Sequence, residues 1–241
     1  CSIHRNDDVE TMRRNPRSAV FAAPDVDVRG IGGAVAKKAS EGEMTNLGVM
    51  MAGNGGVRRD HDFYATPQAE TVINGLFSVM QPPPGPVWEP ACGTGDMSQA
   101  INMHRQTFNT DLHDRGFGVP DIDFTTITRD LYGYVLEKHW DFDGNGVAPK
   151  SVITNPPFSL AEKFLETTMS LGFQYCALLL KTQWMNAKRR YPLFWKYPIT
   201  GYFPLTYRLD FSGAGAPTMD LAWHVWYRGT GVQKIQPLVK M

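Results

Sequence analysis

Asn155-Pro156-Pro157-Phe158 is the stretch of this chain with the clearest chemical meaning. It follows Ser151-Val152-Ile153-Thr154, which reads as the end of a buried strand. Two prolines fix the backbone after Asn155, so the tetrad predicts a tight, rigid turn. Two acceptors would point outward from it, the Asn155 side-chain oxygen and the Pro156 carbonyl. A planar amine has two N–H donors and a lone pair delocalised into its ring. Two acceptors holding both hydrogens would draw the nitrogen toward tetrahedral geometry and free the lone pair to attack a methyl carbon. Phe158 would stack on the ring that carries the amine. The plainer reading is an Asn that caps a turn; the residues upstream favour the chemical one.

Those residues are Val87-Trp88-Glu89-Pro90-Ala91-Cys92-Gly93-Thr94-Gly95-Asp96. They read as a short strand, a Gly-x-Gly turn and the start of a helix running from Met97 to about His104, with Asp96 and Gln99 as a capping box. Glycines there allow a ligand close to the backbone, and the helix start suits a carboxylate. A second strand, residues 107–111, ends on Asp111. An acid at that place in a nucleotide-binding fold accepts from ribose hydroxyls.

Taken in this order, the chain resembles S-adenosylmethionine-dependent DNA adenine-N6 methyltransferases, in particular the small phage and prophage type. The matching pieces are Asp62-Phe63-Tyr64-Ala65-Thr66-Pro67, Glu89-Pro90-Ala91-Cys92-Gly93-Thr94-Gly95, Thr110-Asp111-Leu112, Thr154-Asn155-Pro156-Pro157-Phe158 and Ala222-Trp223-His224-Val225-Trp226. The resemblance spans roughly residues 60–228. It implies a Rossmann-like α/β fold with a seven-stranded, mostly parallel sheet closed by an antiparallel C-terminal hairpin. It also implies S-adenosylmethionine as cofactor and base flipping of the target adenine. Cofactor contacts would come from Tyr64, Thr66, Pro67, Glu89, Pro90, Ala91, Gly93, Gly95 and Asp111, with Asp123 and Phe124 at the cofactor's adenine. Asn155, Pro156, Pro157 and Phe158 would form the catalytic turn. His224, between Trp223 and Val225, reads as a packed strand residue.

Net charge is zero, so any nucleic-acid surface must come from local distribution. From Lys181 to Arg208 there are six basic residues and no acid, interleaved with eight aromatics. That composition suits phosphate contact and stacking on bases, and Lys188, Arg189, Arg190 and Arg208 are the expected phosphate ligands. The plainer reading is a solvated helix face followed by a core strand. DNA is therefore the expected partner, with no metal and no membrane. No apolar run is long enough to span a bilayer. Three cysteines without ligand spacing suggest neither a metal site nor a disulfide framework, which fits a reducing cytoplasm. Asp141-x-Asp143-x-Asn145-Gly146 is similar to a calcium loop, but Val152 stands where its last ligand is needed.

Residues 1–59 are breaker-rich and read as a flexible or extended arm; residues 60–241 read as the catalytic domain. Gly30-Ile31-Gly32-Gly33 lacks a preceding strand and is a poor phosphate loop, and Arg13, Arg14, Arg58 and Arg59 read as solvated charge. In the domain, helices are expected over 69–80, 128–140, 161–170 and 186–195, the last bent by Pro192. Strands are expected over 175–180, 202–211 and 221–228, with a short third strand in 112–124. Since the sheet takes up most of the residues after Phe158, target specificity is expected to be short or relaxed. Other planar amines fit the same turn: adenine in RNA, N4 of cytosine, or a protein glutamine amide. An inactive S-adenosylmethionine-fold module that only binds DNA is the non-enzymatic alternative.

Overall fold

The computed structural model describes residues 65–140, 147–213, 215, 217–231 and 233–240. Tyr64, the Gly30–Gly33 string, the arginines at 13, 14, 58 and 59, and the calcium-like string at 141–146 lie outside these residues.

The element order is α1 (Ala69–Val79), β1 (Val87–Glu89), α2 (Asp96–Asn102), β2 (Thr107–Asn109), α3 (Arg129–His139), β3 (Ser151–Thr154), α4 (Ala161–Leu171), β4 (Tyr175–Lys181), α5 (Tyr191–Lys196), β5 (Gly201–Pro204), β6 (Leu221–Tyr227) and β7 (Lys234–Ile235). The strands form one sheet in the order β2-β1-β3-β4-β6-β5-β7. The pairs β1–β2, β1–β3, β3–β4 and β5–β7 are parallel; β6 runs antiparallel to both β4 and β5.

Burial on both faces of β3, β4 and β6 explains why their sequences are largely apolar rather than alternating. Ile153, Ala177 and Val225 face α1 and α2; Val152, Cys176 and Trp226 face α3 and α4. Trp88 anchors the second layer. Its ring stacks on Tyr132 at 5.2 Å and meets Phe124 edge-on at 5.0 Å, and its indole N–H donates to Thr110 Oγ1 at 3.0 Å. Stacking and a satisfied N–H together make a large aromatic a stable core residue.

Four expectations are corrected. No capping box forms: Gly95 is the N-cap residue of α2 at φ 89°, Asp96 is already helical, and its carboxylate accepts from the Thr94 hydroxyl. The third strand reduces to one bridge between Thr110 and Val119, followed by a 3-10 turn, Phe124–Thr126. Gly116, Gly118 and Asp121 all have positive φ, and Pro120 lacks a donor, so this stretch cannot extend into a ladder. The helix expected over 186–195 is two 3-10 segments, Thr182–Asn186 and Lys188–Arg190, followed by α5. Pro192 starts α5 rather than bending it, because the first turn needs no N–H there. The strand expected over 202–211 ends at Pro204; Thr206 N–H turns away to Leu238 O at 2.9 Å.

Candidate active site

The carboxyl ends of β1, β2 and β3 open into a cavity of about 520 Å³. Ligands of open α/β sheets bind at such ends. Of the residues expected to contact cofactor or substrate, Thr66, Glu89, Pro90, Ala91, Gly93, Asp111, Asp123, Phe124, Asn155 and Pro157 line it.

Asp111 is buried just after β2. Gly93 N–H donates to its Oδ2 and His113 N–H to its Oδ1, both at 2.9 Å. These bonds tie the glycine turn to the acid and fix the carboxylate, whose oxygens keep acceptor capacity for hydroxyls. The glycine turn is built by close approach. A Cβ on Gly95 would lie 2.6 Å from the Phe117 ring, and one on Gly118 would lie 2.7 Å from Cys92 Sγ. Phe117 thus stands over Gly95, which explains why Gly95 is absent from the cavity wall.

Glu89 ends β1 with its side chain almost wholly buried (2% exposed) and accepts from the Ser98 hydroxyl. Burial pushes its carboxyl up to about 8; the Ser98 hydrogen bond opposes this, and the nearby Asp111 and Asp96 carboxylates add to it. Glu89 is therefore mostly protonated at neutral pH in the free protein.

Asp123 caps the 3-10 turn: its Oδ1 accepts from Thr125 N–H at 2.9 Å and Thr125 Oγ1 at 2.7 Å. Phe124 lines the cavity from within the core, held by Trp88 and Phe164.

Asn155 follows β3 and meets the cavity half-buried. Its Nδ2 donates to Thr66 Oγ1 at 3.2 Å, which leaves Oδ1 as the free face of the amide. Pro156 is buried, and Phe158 is half-buried behind the rim; neither lines the cavity. The Lys181 ammonium lies 5.3 Å from the centre of the Phe158 ring. Pro67 is likewise off the cavity, in the turn that opens α1.

The basic segment divides sharply. Arg190 Nε donates to Glu162 Oε1 at 2.8 Å, Nη1 donates to Trp184 O at 2.6 Å, and the guanidinium stacks on Trp184. With its side chain 11% exposed, it ties the 3-10 segment to α4 and is not placed for a phosphate. Arg208 is exposed but forked onto Asp220. Lys188 is exposed, and Arg189, paired to Glu162 at 3.0 Å, is largely exposed.

Sequence reasoning missed Ser98, Leu112, His113, Arg115, Ile122, Thr125, Leu160 and Phe164 as residues of the site or its support. Leu160 and Phe164 carried a usable signal, since the first turn of a helix directly after the tetrad must face the same opening. The loop residues carried none. His224 is fully buried among Trp184, Tyr202 and Trp226, and burial lowers its pKa to about 4.

The described residues hold no group of three or more His, Cys, Asp or Glu able to bind a metal, and no helix long and apolar enough to cross a membrane. Cys92 and Cys176 are buried free thiols.

Among solved structures, a Listeria monocytogenes protein assigned as a class I S-adenosylmethionine-dependent methyltransferase is similar at 15% identity. The match covers 81% of this chain and 71% of that one, with a TM-score of 0.50. A Pyrococcus horikoshii protein assigned as an RNA methyltransferase is similar at 12% identity, covering 76% and 98%, with a TM-score of 0.51. The fold is that of the class I methyltransferases. No protein-family model matches the chain, and no curated protein matches its sequence.

Proposed function

We propose that this chain transfers a methyl group from S-adenosylmethionine to N6 of an adenine in DNA. The observation that carries the reading is Asn155: its amide nitrogen donates to Thr66, and the residue lines a cavity that also holds Asp111 and Glu89, so its oxygen would be the acceptor offered there. The cavity suits the donor in size and chemistry. Asp111 would accept from ribose hydroxyls, Glu89 would face the donor's charged amino-acid end, and Asp123 and Phe124 would flank its base. The donor supplies an activated methyl carbon.

The protein's part is placement and electrostatics. Alignment of amine and methyl carbon lowers the barrier by roughly 7 kcal/mol or more. Asn155 Oδ1 would accept one amine hydrogen; the Pro156 carbonyl, off the cavity wall in the free protein, would take the second only once substrate is bound, and together they would stabilise the charge that grows on nitrogen. A strong base is unnecessary, because the amine becomes acidic as the bond to carbon forms. A base stacked in a duplex cannot reach this cavity, so the adenine must flip out at a cost of a few kcal/mol.

Glu89 gives a pH signature. Its pKa is raised on folding, so the protonated form is favoured and stability falls as pH rises from about 4.5 toward about 8. A bound ammonium group would reverse the shift and expel the proton. Calorimetry of S-adenosylmethionine binding near pH 7, in buffers of different ionisation enthalpy, is expected to show release of about one proton. Glu89→Gln should show none. A binding heat independent of buffer would remove Glu89 from this role.

The test of substrate class is methyl-labelled donor supplied in parallel to unmethylated DNA, to RNA and to a protein extract. Label is expected in DNA. Label only in RNA or protein would replace the substrate, and no label despite donor binding would favour a binding module.

A further inference from the structure

All six tryptophans lie in described residues, and five are buried: Trp88, Trp140, Trp184, Trp223 and Trp226. Trp195 is 73% exposed. One helical turn away, Tyr191 is 62% exposed and meets it edge to face, with ring centres 6.1 Å apart. These are also the two exposed rings among the eight aromatics between Lys181 and Arg208. An exposed tryptophan puts a large apolar surface into water and adds little to this fold. Such a surface is informative when it is contiguous and has a matching rim.

The rim is cationic. Lys188 and Arg189 precede the pair on the 3-10 segment, and Lys196 follows Trp195 directly. All three are exposed. Among the described residues, the one acid that pairs with this group is Glu162, which binds Arg189 and Arg190. Glu162 sits in the first turn of α4, seven residues after Asn155, so the segment is fastened beside the tetrad. Flat rings framed by cations complement bases framed by phosphates, and base–aromatic stacking is open only to unpaired bases.

Building on the methyltransferase reading, we propose that Trp195 and Tyr191 on α5 form a stacking platform for unpaired DNA bases flanking the target, with Lys188, Arg189 and Lys196 on the adjoining phosphates. The platform deepens the proposed function by giving the strand state of the substrate: single-stranded DNA. Arg190 is excluded, since its side chain is 11% exposed and held by Glu162 and Trp184, whereas that of Arg189 is 70% exposed despite its pairing with Glu162.

The exposed indole reports on itself. Because the other five indoles are buried, fluorescence quenched by added DNA reads Trp195. The full chain is titrated with a single-stranded oligonucleotide, with a blunt duplex of the same sequence, and with heparin, which has charge but no bases. Saturable quenching is expected with the single strand, and much less with the duplex or heparin at equal phosphate. Trp195→Ala should abolish the quenching and weaken single-strand binding about tenfold or more. Trp195→Phe should restore most of the affinity, and Lys188→Ala should lower the salt dependence of binding.

Unchanged affinity in Trp195→Ala, or equal quenching by heparin or duplex, would overturn the platform. The transferase reading fails separately. Quenching and stacking without donor binding would leave the platform standing and remove the catalytic assignment. Methylated DNA with a silent Trp195 would do the reverse.

Discussion

Replacing Asn155 by alanine is expected to leave S-adenosylmethionine affinity within about twofold and to lower kcat by roughly 100- to 1,000-fold, the size of loss seen when one preorganised polar partner of a developing charge is removed. The reasoning is local. The Asn155 amide is anchored on its nitrogen side by Thr66, so its oxygen is positioned before substrate arrives. Under the proposed reading, donor contacts would come chiefly from the ends of β1 and β2, which the mutation does not touch. Asn155→Asp should recover much of the rate, because a carboxylate offers an acceptor in the same place and can take a hydrogen bond from the Thr66 hydroxyl. Single-turnover kinetics with saturating donor would measure it. Equal turnover in the alanine variant would remove Asn155 from the chemistry.

The second large effect is expected at Gly95. Its φ of 89° is strained for any residue with a Cβ, and that Cβ would meet the Phe117 ring at 2.6 Å. Strain of about 1–2 kcal/mol and overpacking of about 1–3 kcal/mol act together, so Gly95→Ala should lose about 2–5 kcal/mol of stability. Movement of Phe117 would also disturb the loop that carries His113 N–H onto Asp111, so donor affinity should fall at least about tenfold. Gly133 makes the contrast. It lies exposed inside α3 with nothing within 4 Å of a new Cβ, so Gly133→Ala should stabilise by about 1 kcal/mol. Denaturant unfolding of the two variants measures both signs. A neutral Gly95→Ala would contradict the close-packed account of the turn.

What could be read from the residues follows from what carries a local signal. β3, β4 and β6 are largely apolar on both faces, and Asn-Pro-Pro-Phe marks its own turn, so the strands and the place of Asn155 were legible. The helix after Thr128 was legible because Thr128 caps it, accepting from Leu131 N–H. β7 is two residues, Lys234–Ile235, held by backbone bonds to β5, and no periodicity can announce so short a strand. Residues 112–123 fold back through bonds such as Asp111 N–H to Val119 O, which depend on tertiary contact. The composition of 181–208 marked a basic and aromatic segment, but only packing separates buried Trp184 from exposed Trp195, or Arg190 tied to Glu162 from open Lys188.

The most direct test is identification of the methylated atom. Unmethylated DNA is incubated with the chain and isotope-labelled S-adenosylmethionine, digested to nucleosides and resolved by mass spectrometry. The account predicts labelled N6-methyldeoxyadenosine, lost in Asn155→Ala. Label confined to N4-methyldeoxycytidine, or DNA free of label while RNA or protein carries it, would contradict the adenine assignment.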